Sequence, residues 1–265
     1  MILTAACCAI VIAAAVQRAS TSVSVLLPMV RVFYPTPIAR GVDVIDWDAI
    51  DTVLFDMDGT LLDLHYDNYF WHEYLPEKWG ARQGLDLIAA KAELLPRLQQ
   101  RKGTLSWYCL DYWSTELGLD ILELKRDLDH LIQLRPQAEA LLRHVGELGK
   151  RRIMVTNAHQ KLLDVKLAHT GIGVHFEAVI SSHGLGLPKE DPAFWGALHA
   201  RLAFDSERTL LLDDNQDVLR AAAQYGIRHL LAIQQPDSKA PPRVGLEFPS
   251  VGSFAVLLPT RVAQA

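Results

Sequence analysis

Leu54-Phe55-Asp56-Met57-Asp58-Gly59-Thr60 closes a short β-type run, Thr52 to Phe55, and sets two carboxylates two residues apart directly after it. Carboxylates at the C-terminal end of a parallel strand sit in the crevice where open α/β sheets bind ligands. On a regular strand Asp56 and Asp58 would share one face, and Gly59 lets the chain turn and bring backbone amides near the same point. Two acids so placed suit a hard, oxygen-seeking cation such as Mg²⁺, which takes one or two carboxylates and leaves room for phosphate oxygens. The alternative is a solvated turn, since Asp-Gly is a common turn pair.

Working outward, four more apolar runs follow: Ile153 to Val155, Ala178 to Ile180, Leu210 to Leu212 and Leu230 to Ile233. Continuous rather than alternating apolar runs are the pattern of strands buried on both faces of a parallel sheet. Helix-length stretches separate them, among them His159 to Thr170 before Gly171 and Asp217 to Tyr225 before Gly226, with Gly where a helix C′ residue is favoured. The fold class is therefore α/β, a Rossmann-like parallel-sheet core. Polar groups gather at the run ends. Thr156 and Asn157 follow the second run, offering a hydroxyl and an amide before a helix, although both are also ordinary N-caps. Lys189 lies in the Pro-bounded turn Leu187-Pro188-Lys189-Glu190-Asp191-Pro192 after the third run, and by itself reads as a surface residue. Asp213-Asp214-Asn215 ends the fourth run with paired acids, which are costly to bury without a cation or cationic partner.

One interval breaks the alternation. Residues 65–145 carry only helical patterns, which predicts a helical insert after the first strand motif, with the core formed by 46–64 and 146–258. Within it Leu105, Tyr108, Cys109, Tyr112, Trp113 and Leu117 fall on one stripe of a single helix, a spacing that reports burial. Trp107, Asp111 and Ser114 point to another face and are freer to meet a ligand.

The balance of 26 Lys+Arg against 31 Asp+Glu gives −5, with 50% hydrophobic and 22% charged residues, which excludes a disordered chain. No basic block marks a surface for a nucleic-acid polymer, so small ligands are the better partners. Cys7, Cys8 and Cys109 are too few for a disulfide framework or a four-ligand zinc site, which suits a reducing, cytoplasmic setting. The apolar run Ile2 to Val16 is short against the roughly 20 residues of a membrane span, and no Lys or Arg precedes Arg18, as a signal peptide would need. Export or lipidation and an alternative start at Met29 are the competing accounts of residues 1–28, and 1–45 as a whole reads as an irregular or hydrophobic extension.

In this order, Asp-x-Asp-Gly-Thr, Thr-Asn, Lys and Asp-Asp, each at a strand end or in the turn beyond it, the chain resembles the haloacid dehalogenase-like hydrolase superfamily over residues 46–258. The insert resembles that superfamily's type 1 cap. Asp56 to Asp63, Asp67-Asn68-Tyr69-Phe70-Trp71, Trp107 to Trp113, Thr156-Asn157-Ala158-His159 and Pro188 to Asp191 are similar to the bacterial GMP/IMP 5′-nucleotidase group. Asn215 departs from the pattern, where Ser often follows the acid pair, and the first 28 residues have no counterpart in it.

The resemblance implies a Mg²⁺-dependent phosphomonoester hydrolase that forms an aspartyl-phosphate on Asp56, with Asp58 as general acid and then base. It places Mg²⁺ on the Asp56 carboxylate, the Asp58 main-chain carbonyl and Asp214, with Asp213 in support. Lys189 would balance the charge, and Thr156 with the amides around Met57, Asp58 and Asn157 would bind phosphate oxygens. Asp217 is either a supporting anchor or a helix first-turn acid. The implied substrate is a purine nucleoside monophosphate, GMP or IMP. Its base would be read in the cap by candidates among His65, Asp67, Asn68, Trp107 and Asp111, whose polar groups serve equally well as caps or interhelical bonds. A sugar-phosphate phosphatase, a metal-independent dehalogenase and a non-catalytic phospho-ligand binding module are the alternatives, and the dehalogenase has no use for an acid at Asp58.

Overall fold

A computed structural model describes residues 45–259. The apolar run Ile2 to Val16, the start at Met29 and all but the last residue of the 1–45 extension lie outside the described residues. Six strands, β1 (Thr52–Phe55), β2 (Arg151–Thr156), β3 (Ala178–Ser181), β4 (Thr209–Asp213), β5 (His229–Ile233) and β6 (Ser250–Val251), form one sheet in the order β3-β2-β1-β4-β5-β6. Every pairing in it is parallel. The five expected runs are its first five strands. β6 has two residues, too few to show any period in the sequence.

Register explains why the runs are apolar throughout. Leu54 of β1 lies level with Ile153 of β2 and Leu211 of β4, and all three enter the cluster beneath α9 (Pro192–Arg201) and α10 (Gln216–Tyr225). Val53, Phe55, Met154, Leu210 and Leu212, one residue out of step, enter the opposite cluster with α7 (Ala138–Glu147) and α8 (Gln160–Thr170). Alternate side chains thus meet helices on both faces, and each buried Leu or Ile contributes about 1.5–3 kcal/mol against exposure. Both helices expected to stop at Gly do so, at Gly171 and Gly226, each with positive φ.

Between β1 and β2 the chain is helical: α1 (His65–Tyr69), a π-helical turn Phe70–Tyr74, α2 (Leu75–Gln83), α3 (Leu87–Gln99), α4 (Leu105–Tyr108), α5 (Leu110–Leu117) and α6 (Ile121–Arg126), followed by α7 packed on β2. The outgoing and returning crossings run side by side, with Asp63 N donating to Gln133 O at 2.9 Å and Arg135 N to Leu61 O at 2.9 Å. The single striped helix of residues 105–117 is not found. The chain breaks at Cys109 (φ −85°, ψ 110°), which caps α5 by accepting from Tyr112 N at 3.4 Å. A one-residue break leaves apolar spacing almost unchanged, so periodicity could not reveal it. Of the six stripe residues Trp113 and Leu117 are buried, whereas the break turns Tyr108 toward the cavity described next. Among the described residues no helix is long and apolar enough to cross a membrane.

Candidate active site

The carboxyl ends of β1, β2 and β4 are adjacent in the sheet, so their terminal residues converge without help from the loops. Asp56 follows β1 directly and its N–H still donates to Leu212 O, 3.0 Å away, which holds it in line with the strand. Beyond it the chain folds back: Thr60, Leu61 and Leu62 all direct their N–H groups to Met57 O, at 3.3, 2.9 and 2.8 Å. Gly59 makes that turn possible. Its φ is +86°, and a Cβ there would lie 2.8 Å from Asp214 Cγ, so backbone conformation and available space both demand glycine.

Lys189 stands at the centre. Its buried ammonium donates to Asp56 Oδ1 at 2.6 Å, Asp213 Oδ2 at 2.7 Å and Val155 O at 3.1 Å, using all three protons. Burial works against the charge, but Asp213 and Asp56 outweigh it and hold the amine protonated above the ordinary lysine range. Asn157 fixes the loop that carries it, accepting from Lys189 N at 3.0 Å and donating to Glu190 at 2.9 Å. Thr156 Oγ1 accepts from Ala158 N at 3.0 Å, shaping the turn into α8. Neither Thr156 nor Asn157 is the N-cap of α8, a place taken by His159, and both line the cavity.

Carboxylate oxygens of Asp56, Asp213 and Asp214 lie within 4.8 Å of one another, all buried. Asp213 is held by Lys189 and by Asn215 N at 2.9 Å. Asp214 is held by Arg243, whose guanidinium reaches its main-chain oxygen at 2.6 Å and its carboxylate at 3.2 Å. Burial raises Asp214 to about 7, reinforced by the charge of Asp56 and opposed by Arg243 and Lys189. Asp213 is also raised, by burial above all and then by Asp56 and Asp214, with Lys189 opposing. One oxygen, Asp56 Oδ2, is buried with no partner at all. An excess of carboxylates and an orphaned carboxylate oxygen are what a divalent cation would satisfy, so the donor set fits Mg²⁺.

Asp58 faces differently. Its carboxylate accepts from Lys166 Nζ at 2.6 Å, and the same ammonium reaches Asp67 at 2.6 Å, which in turn holds Lys125 at 2.7 Å. Lys125 lies 4.3 Å from the Phe70 ring centroid and 4.7 Å from that of Tyr66, a cation held against π faces. Burial raises Asp58 to about 6 against the pull of Lys166, with Asp67 and Asp56 adding to the rise. Asp67 ends lowered, to about 2: burial opposes its charge, but Lys125 and Lys166 together prevail.

A cavity of about 490 Å³ opens over these groups, and Asp56, Asp58, Lys189, Asn68, Trp107 and Tyr108 are in its wall. Of the residues singled out in the insert, Trp107 and Asn68 line it, and Asn68 is anchored to Asp237 at 2.8 Å. Asp67 lines it too, but its carboxylate is engaged by the two lysines. His65 lies 3.6 Å from Asp237, outside the cavity lining. Asp111 is exposed, bonded to Lys161 at 2.6 Å, and lines a separate shallow pocket. Asp217 is exposed in the first turn of α10 and pairs with Arg220, which answers its open assignment in favour of the helix. The sequence marks none of Lys125, Lys166 and Arg243 as a site residue, and it places Tyr108 on the packing stripe. Lys166 could have been marked, since it follows Leu162 and Leu163 by four and three residues and so shares the apolar face of α8. Arg243, in an irregular loop, has no such signal.

The model of the haloacid dehalogenase-like hydrolases matches residues 50–226. The chain belongs to the haloacid dehalogenase-like hydrolases. Over 216 residues it is 43% identical to the GMP/IMP nucleotidase YrfG of Escherichia coli (strain K12), an alignment covering 82% of this chain and 97% of that protein. It is also similar to a phosphoserine phosphatase of Thermus thermophilus, 29% identical over 118 residues, 42% of this chain and 47% of that one. A crystal structure of a HAD phosphatase from Thermococcus onnurineus superposes with a TM-score of 0.66 at 20% identity, over 78% of this chain and 96% of that one. An L-2-haloacid dehalogenase from Xanthobacter autotrophicus superposes at 0.51 with 18% identity, over 78% and 96%. These two superpositions speak for the fold. Within this hydrolase family the converging strand ends of β1, β2 and β4, with Asp56, Thr156, Lys189 and the Asp213–Asp214 pair, form the candidate catalytic centre.

Proposed function

We propose that this hydrolase is a Mg²⁺-dependent 5′-nucleotidase that removes phosphate from purine nucleoside monophosphates, GMP and IMP, in the cytoplasm. The observation that carries the chemistry is Asp56: one carboxylate oxygen is pinned by Lys189 and the other is buried, unpaired and beside the open cavity. The similarity to the GMP/IMP nucleotidase supports the choice of substrate.

Asp56 attacks the phosphorus atom, forming the acyl phosphate while the ester bond to the ribose 5′ oxygen breaks. Asp58, raised to about 6, carries the proton that the departing oxygen takes, then accepts one from the water that cleaves the acyl phosphate. Lys189 keeps Asp56 oriented and adds positive charge beside the phosphoryl oxygens. The Asp56, Asp213 and Asp214 carboxylates would hold Mg²⁺, with the Asp58 main-chain carbonyl as the further ligand the family resemblance implies. When bound, the ion supplies charge neutralisation for phosphate entering a pocket with an excess of acids. Of the insert expected at 65–145, helices α1 to α6 act as the cap, shielding the transfer from water, while α7 packs on β2 and belongs with the core. Trp107 and Tyr108 offer rings to a purine and Asn68 a polar edge, while Asp67, His65 and Asp111 are turned to other tasks.

Phosphate release by the purified chain from nucleoside monophosphates and sugar phosphates, with Mg²⁺ and with EDTA, tests this reading. The expected result is Mg²⁺-dependent release strongest with GMP and IMP and lost in Asp56→Asn. Preference for a sugar phosphate would overturn the purine assignment, and chloride release from a haloacid without metal would overturn the phosphatase chemistry.

A further inference from the structure

Beside the carboxylate cluster a second group of side chains converges, and the proposed hydrolysis does not use it. Cys109 comes from the break between α4 and α5, His159 from the turn after β2, and His183 from the 3-10 turn Ser182–Gly184 after β3. One ligand atom from each, the Cys109 sulfur and a ring nitrogen of either histidine, lies within 4.8 Å of the others. The two imidazoles meet edge to face with centroids 4.9 Å apart. His159 Nδ1 and both ring nitrogens of His183 are buried without a hydrogen-bond partner. A ring nitrogen shut away from solvent is normally hydrogen-bonded even on a half-buried histidine, because an unmade bond leaves its desolvation cost uncompensated. Three orphaned nitrogens around a free thiol therefore need another explanation.

We propose that Cys109, His159 and His183 form a binding site for a borderline-soft divalent metal ion of the Zn²⁺ type, separate from the oxygen-lined Mg²⁺ site. One thiolate and two imidazoles are the ligands such ions select, whereas Mg²⁺ prefers oxygen. Tetrahedral bonds of roughly 2.3 Å to sulfur and 2.0–2.1 Å to nitrogen put ligand atoms about 3.4–3.6 Å apart, so closing from separations of at most 4.8 Å needs at most about 1.4 Å, within the reach of side-chain torsions. Asp111 offers a fourth ligand: one carboxylate oxygen is 3.7 Å from His159 Nε2, and its other oxygen is held by Lys161. On binding, the Cys109 thiol gives its proton to solvent and the imidazoles bind in their neutral form. Both histidines are already biased that way, His183 to about 4 by burial and by the neighbouring His159, and His159 by burial.

The position gives the ion a consequence. Cys109 ends the short helix that carries Trp107 and Tyr108 into the cavity wall, while His159 and His183 belong to turns of the sheet core. A bound ion would tie the α4–α5 junction to the core and restrain those two rings.

The test is a Co²⁺ titration of the full chain in excess Mg²⁺, followed in the near ultraviolet where thiolate-to-cobalt charge transfer absorbs. Wild type, Cys109→Ser and His183→Gln are compared, and Cys7 and Cys8 are present in all three, so the difference reports Cys109. The expected result is a thiolate band saturating at one equivalent in wild type, absent in C109S, and at least about tenfold weaker in apparent affinity in H183Q. Zn²⁺ should displace the cobalt and raise the wild-type melting temperature but not that of C109S. Phosphate release with Mg²⁺ alone should match wild type in both variants, which shows that they fold. A wild-type titration with no thiolate band, or the same band in C109S, overturns the proposal. It does not depend on the substrate, so its failure leaves the nucleotidase reading intact.

Discussion

Replacing Lys166 by Met tests whether the catalytic acid is held by the insert-to-core ion network. Lys166 is 1% exposed and makes two bonds of 2.6 Å, to Asp58 and to Asp67, whose side chains are 19% and 16% exposed. Methionine keeps the length and apolar stem but leaves both carboxylates short of a cation. Breaking a buried pair by removing one partner costs about 3–5 kcal/mol. Asp67 keeps Lys125, so the loss falls mainly on Asp58, which can escape by taking a proton. Its pKa, about 6 with Lys166 present, must rise when that attraction is removed, and each unit is worth about 1.4 kcal/mol. A carboxyl raised in the folded state stabilises the fold at low pH and loses that contribution as pH rises from its unfolded value toward its folded one. K166M should therefore cost about 3–5 kcal/mol at pH 8 and about 1–2 kcal/mol less at pH 5. The assay is urea unfolding of both proteins at the two pH values, paired with phosphate release in Mg²⁺, where the acidic optimum should broaden upward. A loss below about 1 kcal/mol at both pH values, or one that grows toward acid, would refute the reasoning.

Three further outcomes follow from the same contacts. Gly59→Ala places a Cβ 2.8 Å from Asp214 Cγ at a φ of +86°, costing about 1–2 kcal/mol in backbone strain alone, and displaces a metal-facing carboxylate. Phosphate release should fall at least about tenfold, with a raised Mg²⁺ requirement seen in a metal titration. Asp214, at about 7, and Asp58, at about 6, are both raised, so the metal-free chain should melt lower at pH 8 than at pH 5, and Mg²⁺, which binds the ionised carboxylates, should raise the melting temperature more at pH 8. Equal Mg²⁺ shifts at both pH values in differential scanning fluorimetry would count against that assignment. Tyr108→Phe removes the bond from the phenol to Glu190 and should cost about 1 kcal/mol of stability while raising KM for GMP more than it lowers kcat.

How much was legible varies with the kind of residue. Asp56, Asp58, Thr156, Lys189 and the Asp213–Asp214 pair could be read because each terminates an apolar run or sits in the turn beyond it. A parallel sheet places its carboxyl ends side by side whatever the helices do. Tyr108 reads as a packing residue because apolar spacing passes through the break at Cys109 almost unchanged. Lys125 and Lys166 are 41 residues apart in sequence yet share Asp67, and nothing in either local pattern reports that. Charge pairing over such separations is a property of packed helices, with no period to betray it.

The chain's own order of residues determined the parallel sheet, the helical insertion and the acids at the strand ends, because burial on both faces and strand-end turns leave local marks of composition, whereas the strand order came from the tertiary structure. Only the tertiary structure decided which oxygen of Asp56 is free, which lysine holds Asp58, and that Cys109 meets two histidines from different strand ends. Those facts depend on distances of a few ångströms between segments far apart in sequence, where the energy of a charge or a ligand bond is set by its neighbours in space.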